Sequence, residues 1–288
     1  VYIKCGTTLT PSAYLNITWQ GTSSDPAVIG AYWMDGSTAR YELNGDRPII
    51  SGSDWTIPTH GGYTGLINVA DKDYVQIRNL HVYRSGAYGI YIYGNADATA
   101  TSYGFLVDGG KVESAWRQCL ICHRNPSNYG TISDNEVTAG NQIWAQTAAS
   151  DWGAVVTINS CPTSYTTVKG NFIYSNFGEG ININTVLDWL HTGYAVVEDN
   201  ILYDNRALQI YIDRAEQVVG RNNLVLGNGS PSGTYRGGTG RYSAGGRYWN
   251  GMGIEVNNEI RNAANDYMSA AVNDVLIYNN VIAGTYAG

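Results

Sequence analysis

The sequence predicts an all-β solenoid, a parallel β-helix, because two short units alternate along it. The first unit reads VVEDNILYDN at 196–205 and returns as VVGRNNLVLGN at 218–228. The second is a short apolar strand that reads GININ at 180–184 and QIYID at 209–213. Units repeated at this length indicate a solenoid, and their Val, Ile, Tyr, Asn and Gly content favours strands without helical periodicity. Further copies of the two units occur at 75–84, 131–140, 167–176 and 275–284, and at 89–93 and 253–257.

One asparagine in each copy of the first unit marks a predicted turn. Asparagine tolerates the left-handed backbone region and bonds nearby backbone groups, which suits a turn that every coil repeats. We also expect each side-chain amide to bond the asparagine of the next coil. The predicted positions are Asn79, Asn135, Asn171, Asn200, Asn223 and Asn280.

The apolar strands align into columns, because successive side chains of a strand point to opposite faces of a sheet. Neighbours in a column should lie about 4.8 Å apart, which is the strand spacing. Two inward columns are predicted to fill the bore: Ile90, Leu120, Val156, Ile181, Ile210 and Ile254, and Ile92, Cys122, Ile158, Ile183, Ile212 and Val256. Two outward columns are predicted: Tyr91, Ile121, Thr157, Asn182, Tyr211 and Glu255, and Tyr93, His123, Asn159, Asn184, Asp213 and Asn257.

These repeats resemble those of the right-handed parallel β-helix superfamily, which includes pectate lyases and related polysaccharide-processing proteins. The resemblance covers roughly residues 65 to 285 and rests on the V-x-x-x-N-x-[IV] and G-I-x-I patterns. The stretches at 3–11, 25–33 and 47–52 are similar to the first coils of such proteins. The resemblance implies a right-handed solenoid and a carbohydrate-active protein, and it supplies no complete catalytic motif.

The chain of 288 residues is predicted to form a single β-helix domain, 1–288, because a solenoid grows by stacking coils. Residues 1–60 are expected to form irregular first coils and residues 61–288 regular coils. The insertions between units all flank the G-I-x-I sheet, and repeat proteins place insertions on the functional face. The outer face of this sheet, walled by loops, is therefore the predicted working surface. The predicted loop insertions are 94–103, 138–152, 185–195, 229–252 and 258–274.

Charge is sparse and negative, with 14% charged residues and a formal net charge of −7. This balance argues against a nucleic-acid partner, because nucleic-acid phosphates attract basic surfaces. No apolar segment reaches the ~18 residues of a membrane span. Abundant Tyr, Asn, Ser and Thr favour a secreted or cell-surface protein whose partner is a polysaccharide or a cell-surface glycan. The chain opens within a strand, VYIKC, which favours a mature or trimmed N-terminus.

The candidate catalytic residues lie on or beside the outward columns and are His123, Tyr211, Asp213, Arg214 and Glu255. The resemblance implies a polysaccharide lyase or a related glycan-cleaving or epimerising enzyme that acts in a loop-walled groove, with a glycoside hydrolase as the second choice. Cleavage by β-elimination needs a base, a group that neutralises the uronate carboxylate and a proton donor for the leaving oxygen. His123, Tyr211 or Arg214 would act as base or acid. Arg214 and Asn184 would neutralise the carboxylate.

Two further roles stay open for Asp213 and Glu255. They could hold Ca²⁺, which takes oxygen ligands, or they could form a glycosidase pair, since adjacent coils approach the retaining spacing of about 5 Å. Because the candidate side chains point outward, we expect their substitution to reduce turnover without unfolding the chain. The predicted substrate-binding residues are Tyr91, Tyr93, Asn159, Asn182, Asn184, Trp189 and Asn257. Further aromatic residues predicted beside this face are Trp144, Trp152, Tyr248 and Trp249.

The string Cys119-Leu-Ile-Cys122-His123 matches the c-type haem attachment pattern, but strand geometry argues against haem here. Residues three apart on a strand point to opposite faces, with α-carbons about 10 Å apart. The same separation forbids a disulfide between Cys119 and Cys122. We expect Cys122 to be buried in the bore without a bridge.

The alternative to an enzyme is a non-catalytic structural, adhesive or filament-forming solenoid that binds glycans. An uncapped coil presents free N–H and C=O groups, and no amphipathic helix is predicted to cover either end. End-to-end self-association is therefore predicted as a second mode of interaction. Turnover of a polysaccharide that depends on Asp213 would separate the two classes.

Overall fold

The computed structural model describes residues 1–53, 64–94, 102–117, 120–123, 127–142, 153–159, 161, 164–184, 192–205, 207–227, 252–257 and 272–284. The described chain winds through three long sheets, and each full coil contributes one strand to each sheet. Strands of successive coils pair in parallel, so every coil stacks on the one before it. This arrangement is the parallel β-helix that the repeats predict.

Sheet 1 holds the G-I-x-I strands and has eight members in the described chain. They are β3 (Leu15–Ile17), β7 (Gly65–Ala70), β10 (Tyr88–Tyr93), β14 (Leu120–His123), β18 (Ala154–Asn159), β21 (Glu179–Asn184), β25 (Leu208–Asp213) and β29 (Met252–Asn257). Two short pairs lie in the segments that follow sheet 1. These are β11 (Ser102–Tyr103) with β15 (Ser127–Asn128), and β22 (Thr192–Gly193) with β26 (Ala215–Glu216).

Sheets 2 and 3 are formed by the two halves of the asparagine-containing unit. Sheet 2 contains β1 (Tyr2–Lys4), β4 (Ala27–Asp35), β8 (Val75–Arg78), β12 (Leu106–Asp108), β16 (Thr131–Ser133), β19 (Thr167–Lys169), β23 (Val196–Glu198), β27 (Val219–Arg221) and β30 (Leu276–Tyr278), and the antiparallel β5 (Thr38–Arg40) pairs with β4. Sheet 3 contains β2 (Thr8–Leu9), β6 (Ile49–Ser51), β9 (His81–Tyr83), β13 (Lys111–Glu113), β17 (Glu136–Thr138), β20 (Phe172–Tyr174), β24 (Ile201–Tyr203), β28 (Leu224–Leu226) and β31 (Val281–Ala283).

Inward side chains of the three sheets form one continuous apolar core along the bore. The register confirms the predicted inward columns, because Ile181 pairs with Ile210 and Ile183 pairs with Ile212. All four side chains are fully buried. Burying an aliphatic side chain of this size contributes about 1.5–3 kcal/mol, so repetition of the column stabilises the whole solenoid.

The cysteines occupy separate positions in this frame. The backbone places Cys122 in an inward column, opposite Ile92 and Ile158, as predicted. The side-chain position of Cys122 and the whole of Cys119 lie outside the described residues. Cys5 and Cys161 are not joined by a disulfide bond, and the Cys161 Sγ lies 3.3 Å from the carbonyl oxygen of Asn159.

Buried asparagines form a hydrogen-bonded ladder at the corner between sheets 2 and 3. In each rung the backbone N–H and the Nδ2 group of one asparagine donate to Oδ1 of the asparagine in the next coil, at 2.9–3.1 Å. These contacts confirm the predicted bonding between asparagines of successive coils. The ladder runs through Asn135, Asn171, Asn200, Asn223 and Asn280.

Asn79 is not a member of this ladder, and its predicted place there is wrong by one residue. Asp108 pairs with Arg78, two residues before Leu80, so Leu80 occupies the ladder position in that coil. Asn79 instead takes the left-handed position directly before it, with φ 57°. The left-handed residue of this turn is thus the one before the ladder asparagine, as Asp134 shows with φ 55°. The ladder asparagines turn by side-chain bonding and not by a left-handed backbone.

Inward side chains of the last described coil are more exposed than those of the coil before it. Val256, Ile277 and Ile282 are 43%, 38% and 46% exposed. Their neighbours in the preceding coil, Ile212 and Val225, are fully buried.

Candidate functional site

The outer face of sheet 1 brings the predicted polar residues into one row. His123 pairs with Asn159, and Asn159 pairs with Asn184. Asn184 in turn pairs with Asp213, and Asp213 pairs with Asn257. Successive members belong to neighbouring coils, so the row runs parallel to the solenoid axis. We call these five residues the polar row.

Three residues of the polar row are enclosed, although the row lies on the outside of the β-helix. Asn159, Asn184 and Asp213 are 8%, 6% and 0% exposed. Side chains on the outer face of sheet 1 are therefore shielded from solvent at these three positions. Strand alternation fixes which face of a sheet a side chain takes, but exposure depends on what else packs over that face. An enclosed polar surface of this kind is typical of a ligand site, where specific polar groups are held away from bulk water.

Asp213 and Arg214 form a buried pair of opposite charges at the end of β25. The Arg214 Nε lies 3.7 Å from the Asp213 Oδ2, and both side chains are at most 1% exposed. Arg214 adopts the left-handed region with φ 49°, and its N–H donates to the carbonyl oxygen of Asn257. Burying two charges is costly unless each is compensated, so such a pair is kept where its charges are used or its geometry is needed.

The second outward column carries Asn182, Tyr211 and Glu255 on three successive strands. Tyr211 is buried, whereas Glu255 is half-buried. The Nδ2 group of Asn257 lies 3.2 Å from Glu255 Oε1 and 3.5 Å from the Tyr211 hydroxyl oxygen. Asn257 therefore links the polar row to this second column and helps to orient the Glu255 carboxylate.

Sequence reasoning missed Glu179, which also belongs to this site. The Nδ2 group of Asn182 donates to Glu179 Oε2 at 2.6 Å, and the Glu179 side chain is buried. An acidic residue set directly before an apolar strand, in the string FGEGIN, was the available signal. The pair holds the Asn182 amide in one orientation, with its oxygen left to accept a further hydrogen bond.

Asp213 and Glu255 lie on a diagonal and not directly opposite each other. Asp213 pairs with Asn257, whereas Glu255 pairs with Tyr211. A step of one strand and two residues separates α-carbons by about 8 Å. The register sets the separation of the α-carbons and not that of the carboxyl groups, so the predicted glycosidase pair stays a prediction.

Two of the predicted aromatic residues of this face, Tyr91 and Tyr93, differ in how far their rings are buried. Tyr91 is buried, and its ring stacks on Tyr93 at 4.4 Å and contacts Tyr88 at 5.3 Å. Tyr93 is half-buried, and desolvation together with the nearby charge of Asp71 raises the pKa of its hydroxyl. Tyr93 is therefore a neutral hydrogen-bonding group at the surface of this small cluster.

Several candidates cannot be placed at this site. Trp189, Trp144, Trp152, Tyr248 and Trp249 lie outside the described residues, as does the side chain of His123. Within the described residues, no three His, Cys, Asp or Glu side chains come together as a metal site. Calcium binding by Asp213 and Glu255 thus stays a prediction. No helix in the described part of the chain has the length and hydropathy of a membrane span.

Known proteins share this architecture. The sequence matches the family described as right-handed beta helix region over residues 65–260. The chain is similar in structure to an alginate lyase from Paenibacillus sp. str. FPU-7, at 13% identity and TM-score 0.46, covering 77% of this chain and 86% of that one. No protein with a curated description matches it in sequence.

Two further solved structures are similar over a smaller share of their own length. One is tailspike protein 2 from Escherichia coli O157:H7 bacteriophage CAB120, at 14% identity and TM-score 0.37, covering 77% of this chain and 28% of that one. The other is a lacto-N-biosidase from Eubacterium ramulus, at 13% identity and TM-score 0.45, covering 96% of this chain and 49% of that one. This chain thus spans less than half of either protein, and likeness at such identity concerns the fold alone.

Proposed function

Because this chain belongs to the right-handed β-helix family, we propose that it is a secreted or cell-surface protein that binds and cleaves a polysaccharide on the outer face of sheet 1. The observation that carries the proposal is the enclosed polar row beside the buried Asp213–Arg214 pair. A solenoid needs neither feature for its own stacking, since an outer sheet face is ordinarily left to solvent. The row also runs along the axis, as an extended glycan bound there would.

Binding would rest on the side-chain amides of the polar row. An asparagine amide both donates and accepts hydrogen bonds, which matches the hydroxyl groups of a sugar. Asn159, Asn184 and Asn257 would contact successive parts of the chain from neighbouring coils. Enclosure strengthens these contacts, because polar groups held away from bulk water interact more strongly.

Hydrolysis is the chemistry that the described charges favour. Glu255 is half-buried and would act as the general acid or base that contacts the glycosidic oxygen. Asp213 is fully buried on the neighbouring strand, and the Arg214 Nε lies 3.7 Å from its Oδ2. We assign Asp213 and Arg214 a positioning and electrostatic role.

Elimination from a uronate polymer is the second candidate. Tyr211 on the strand that ends in Asp213 and Arg214 is the observation in its favour, since a phenol can exchange a proton and a guanidinium can neutralise a carboxylate. His123 could supply the same proton chemistry, and calcium held by Asp213 and Glu255 could supply the positive charge. The net charge of −7 and the engagement of Arg214 by Asp213 weigh against a polyanionic substrate.

A product assay on a panel of soluble polysaccharides tests these proposals. The panel includes a β-1,3-glucan, a β-1,4-xylan, polygalacturonate and alginate, with new reducing ends and unsaturated products measured in parallel. Hydrolysis yields reducing ends alone, whereas elimination yields both. We expect Glu255→Gln to reduce turnover at least ~100-fold, which is the usual scale of general acid–base catalysis.

Glu198→Gln serves as the matched control, because Glu198 lies on the outside of sheet 2 and pairs with Arg221 there. It should leave turnover unchanged. Binding of a polysaccharide by the parent without any new chain ends would favour the non-catalytic, adhesive alternative. Full turnover in Glu255→Gln would remove Glu255 from the mechanism.

A further inference from the structure

The corner where the chain enters sheet 2 carries an unusual column of left-handed residues, which is best seen by comparison with the next corner. At that next corner, between sheets 2 and 3, every described coil from β8 onward places Asn, Asp or Gly in the left-handed region. Those residues are Asn79, Gly109, Asp134, Gly170, Asp199, Asn222 and Asn279. The corner before sheet 2 repeats the same backbone conformation, but with tyrosine. The equivalent residues there are Tyr74, Gly104, Tyr129, Tyr165, Tyr194, Gln217 and Asp274.

Tyrosine is not what this turn requires. The four tyrosines have φ between 41° and 57°, a region that bulky side chains rarely occupy because the β-carbon crowds the backbone. Asparagine, aspartate and glycine adopt it readily, as the other corner of the same chain shows. Backbone strain of this kind persists at positions where the surrounding structure or a function requires that particular side chain.

The rings form a continuous stack along the solenoid. In the coil that has Gly104 at this position, Tyr103 supplies the ring, and it meets Tyr74 edge-on at 5.5 Å. Ring centroids then follow at 4.8 Å to Tyr129, 4.7 Å to Tyr165 and 4.4 Å to Tyr194. Stacking offsets part of the backbone strain. We call these five residues the tyrosine ladder.

The tyrosine ladder remains open to solvent. Tyr129 and Tyr165 are 48% and 42% exposed. Since neighbouring rings cover each other's faces, the exposed parts are mainly ring edges and hydroxyl groups. The ladder lies between the end of sheet 1 and the start of sheet 2, so it runs beside the polar row and parallel to it.

We propose that the tyrosine ladder is a docking rail for a linear, uncharged polysaccharide lying parallel to the solenoid axis. The ladder presents one phenol per coil, about 4.8 Å apart, and this spacing is close to the length of one sugar residue in an extended chain. Each phenol donates one hydrogen bond and accepts others, as sugar hydroxyls do. The rail rests on the proposal that the partner is a polysaccharide, but it does not depend on cleavage.

The charges beside the ladder favour an uncharged polymer over a polyanion. Asp73 Oδ1 accepts a hydrogen bond from the N–H of Tyr103 at one end. At the other end the N–H of Tyr194 donates to the carbonyl oxygen of Glu216, and the column continues to Asp274. Carboxylates at both ends repel a uronate chain or a nucleic acid. Desolvation and neighbouring tyrosines raise the pKa values of Tyr103 and Tyr165, which keeps these two hydroxyls protonated.

The test replaces two central rings by asparagine. Tyr129→Asn with Tyr165→Asn removes the exposed part of the rail and puts at both positions a residue that prefers the left-handed backbone. The fold should therefore be kept, with a midpoint of thermal unfolding no lower than that of the parent. Affinity electrophoresis in gels containing the β-1,3-glucan or the β-1,4-xylan measures binding, with polygalacturonate as the polyanion.

We expect the double variant to bind the neutral polysaccharide on the order of tenfold more weakly than the parent. Tyr203→Asn is the matched control, because Tyr203 is also 42% exposed but lies on sheet 3 away from the ladder, and it should bind as the parent does. Unchanged binding in the double variant, binding of polygalacturonate alone, or no binding of either neutral polymer by the parent would overturn the proposal.

The Glu255→Gln variant separates this proposal from the proposed cleavage. If the rail exists, that variant still binds the neutral polymer, and the two asparagine substitutions still weaken its binding. Loss of cleavage activity in this variant would therefore not contradict the proposed docking rail. Unchanged binding and unchanged cleavage in the ladder variant would contradict the docking rail but not the proposed cleavage.

Discussion

Asn184 and Asp213 lie directly opposite each other on β21 and β25, and Asn257 lies on the other side of Asp213. The buried carboxylate therefore has an amide-bearing residue on each neighbouring strand as well as Arg214 at the end of its own. In the folded protein this charge is stabilised by its neighbours, because it is shielded from water. In the unfolded chain water solvates it instead. Its removal should be felt in both stability and function.

Replacing Asp213 by alanine is expected to lower the free energy of unfolding by about 3 kcal/mol, because it leaves Arg214 as an uncompensated buried charge. Urea denaturation measures this change. Asp213→Ala combined with Arg214→Met should recover part of the loss. Glu198→Ala breaks the more exposed pair with Arg221 and should cost less than about 1 kcal/mol. Equal effects of Asp213→Ala and Glu198→Ala would show that the buried pair has no special energetic role.

Asn200→Ala should destabilise the chain by about 3 kcal/mol. It removes one rung of the asparagine ladder and leaves buried donors and acceptors in both adjoining coils without partners. Asn222→Gly is the control, because Asn222 is exposed and left-handed, a position that glycine also suits. A larger loss in Asn222→Gly than in Asn200→Ala would contradict the register of the turn.

Glu113 should make stability depend on pH below about 4.5. A hydrogen bond with His81 and the nearby Lys111 lower the pKa of Glu113 from 4.5 to about 2. Between these values the unfolded carboxyl takes up a proton and the folded one does not, so stability falls as the pH falls from 4.5 towards 2. After allowance for its partial exposure, we expect about 1 kcal/mol from this group.

The measurement is the thermal midpoint of parent and Glu113→Gln across this pH range. The variant should be less stable at neutral pH and should lose less stability on acidification. Glu198→Gln, on a different sheet, controls for the general effect of removing one carboxylate. A parallel pH dependence in parent and Glu113→Gln would exclude Glu113 as the source.

The columns of sheet 1 could be predicted because every copy of the strand repeats the same alternation. Ile183 and Ile212 flank Asn184 and Asp213 in the same way, so the alignment has one solution. The ladder position at the corner between sheets 2 and 3 was harder to predict, because the coil with Leu80 lacks the ladder asparagine and has Asn79 one residue earlier. Spacing alone does not separate a left-handed position from the buried position beside it.

The enclosure of the site and the tyrosine ladder could not be predicted in the same way. Whether Asp213 is buried depends on which segments pack over its face, and no repeat in the sequence encodes that. Tyr129 and Tyr165 each lie six residues after the end of their sheet 1 strands, but Tyr194 lies ten residues after its strand and Tyr74 four, so the whole ladder has no common spacing from the G-I-x-I strands. Its signal lies on the other side, where Tyr129, Tyr165 and Tyr194 each stand two residues before the first residue of a sheet 2 strand.

The asparagine ladder makes successive coils structurally equivalent at the corner between sheets 2 and 3. Asn135 donates to Asn171 in the same way as Asn171 donates to Asn200, so the rungs are equivalent. A cut made at Asn171 and rejoined at Asn200 would remove one whole turn and let Asn135 meet Asn200 in unchanged geometry. The same splice shortens the polar row and the stack of phenols by one step each. Each whole-coil deletion therefore shortens the proposed binding surface by one strand spacing. If the protein binds a polysaccharide as proposed, a series of such deletions would measure how many sugar residues the surface contacts.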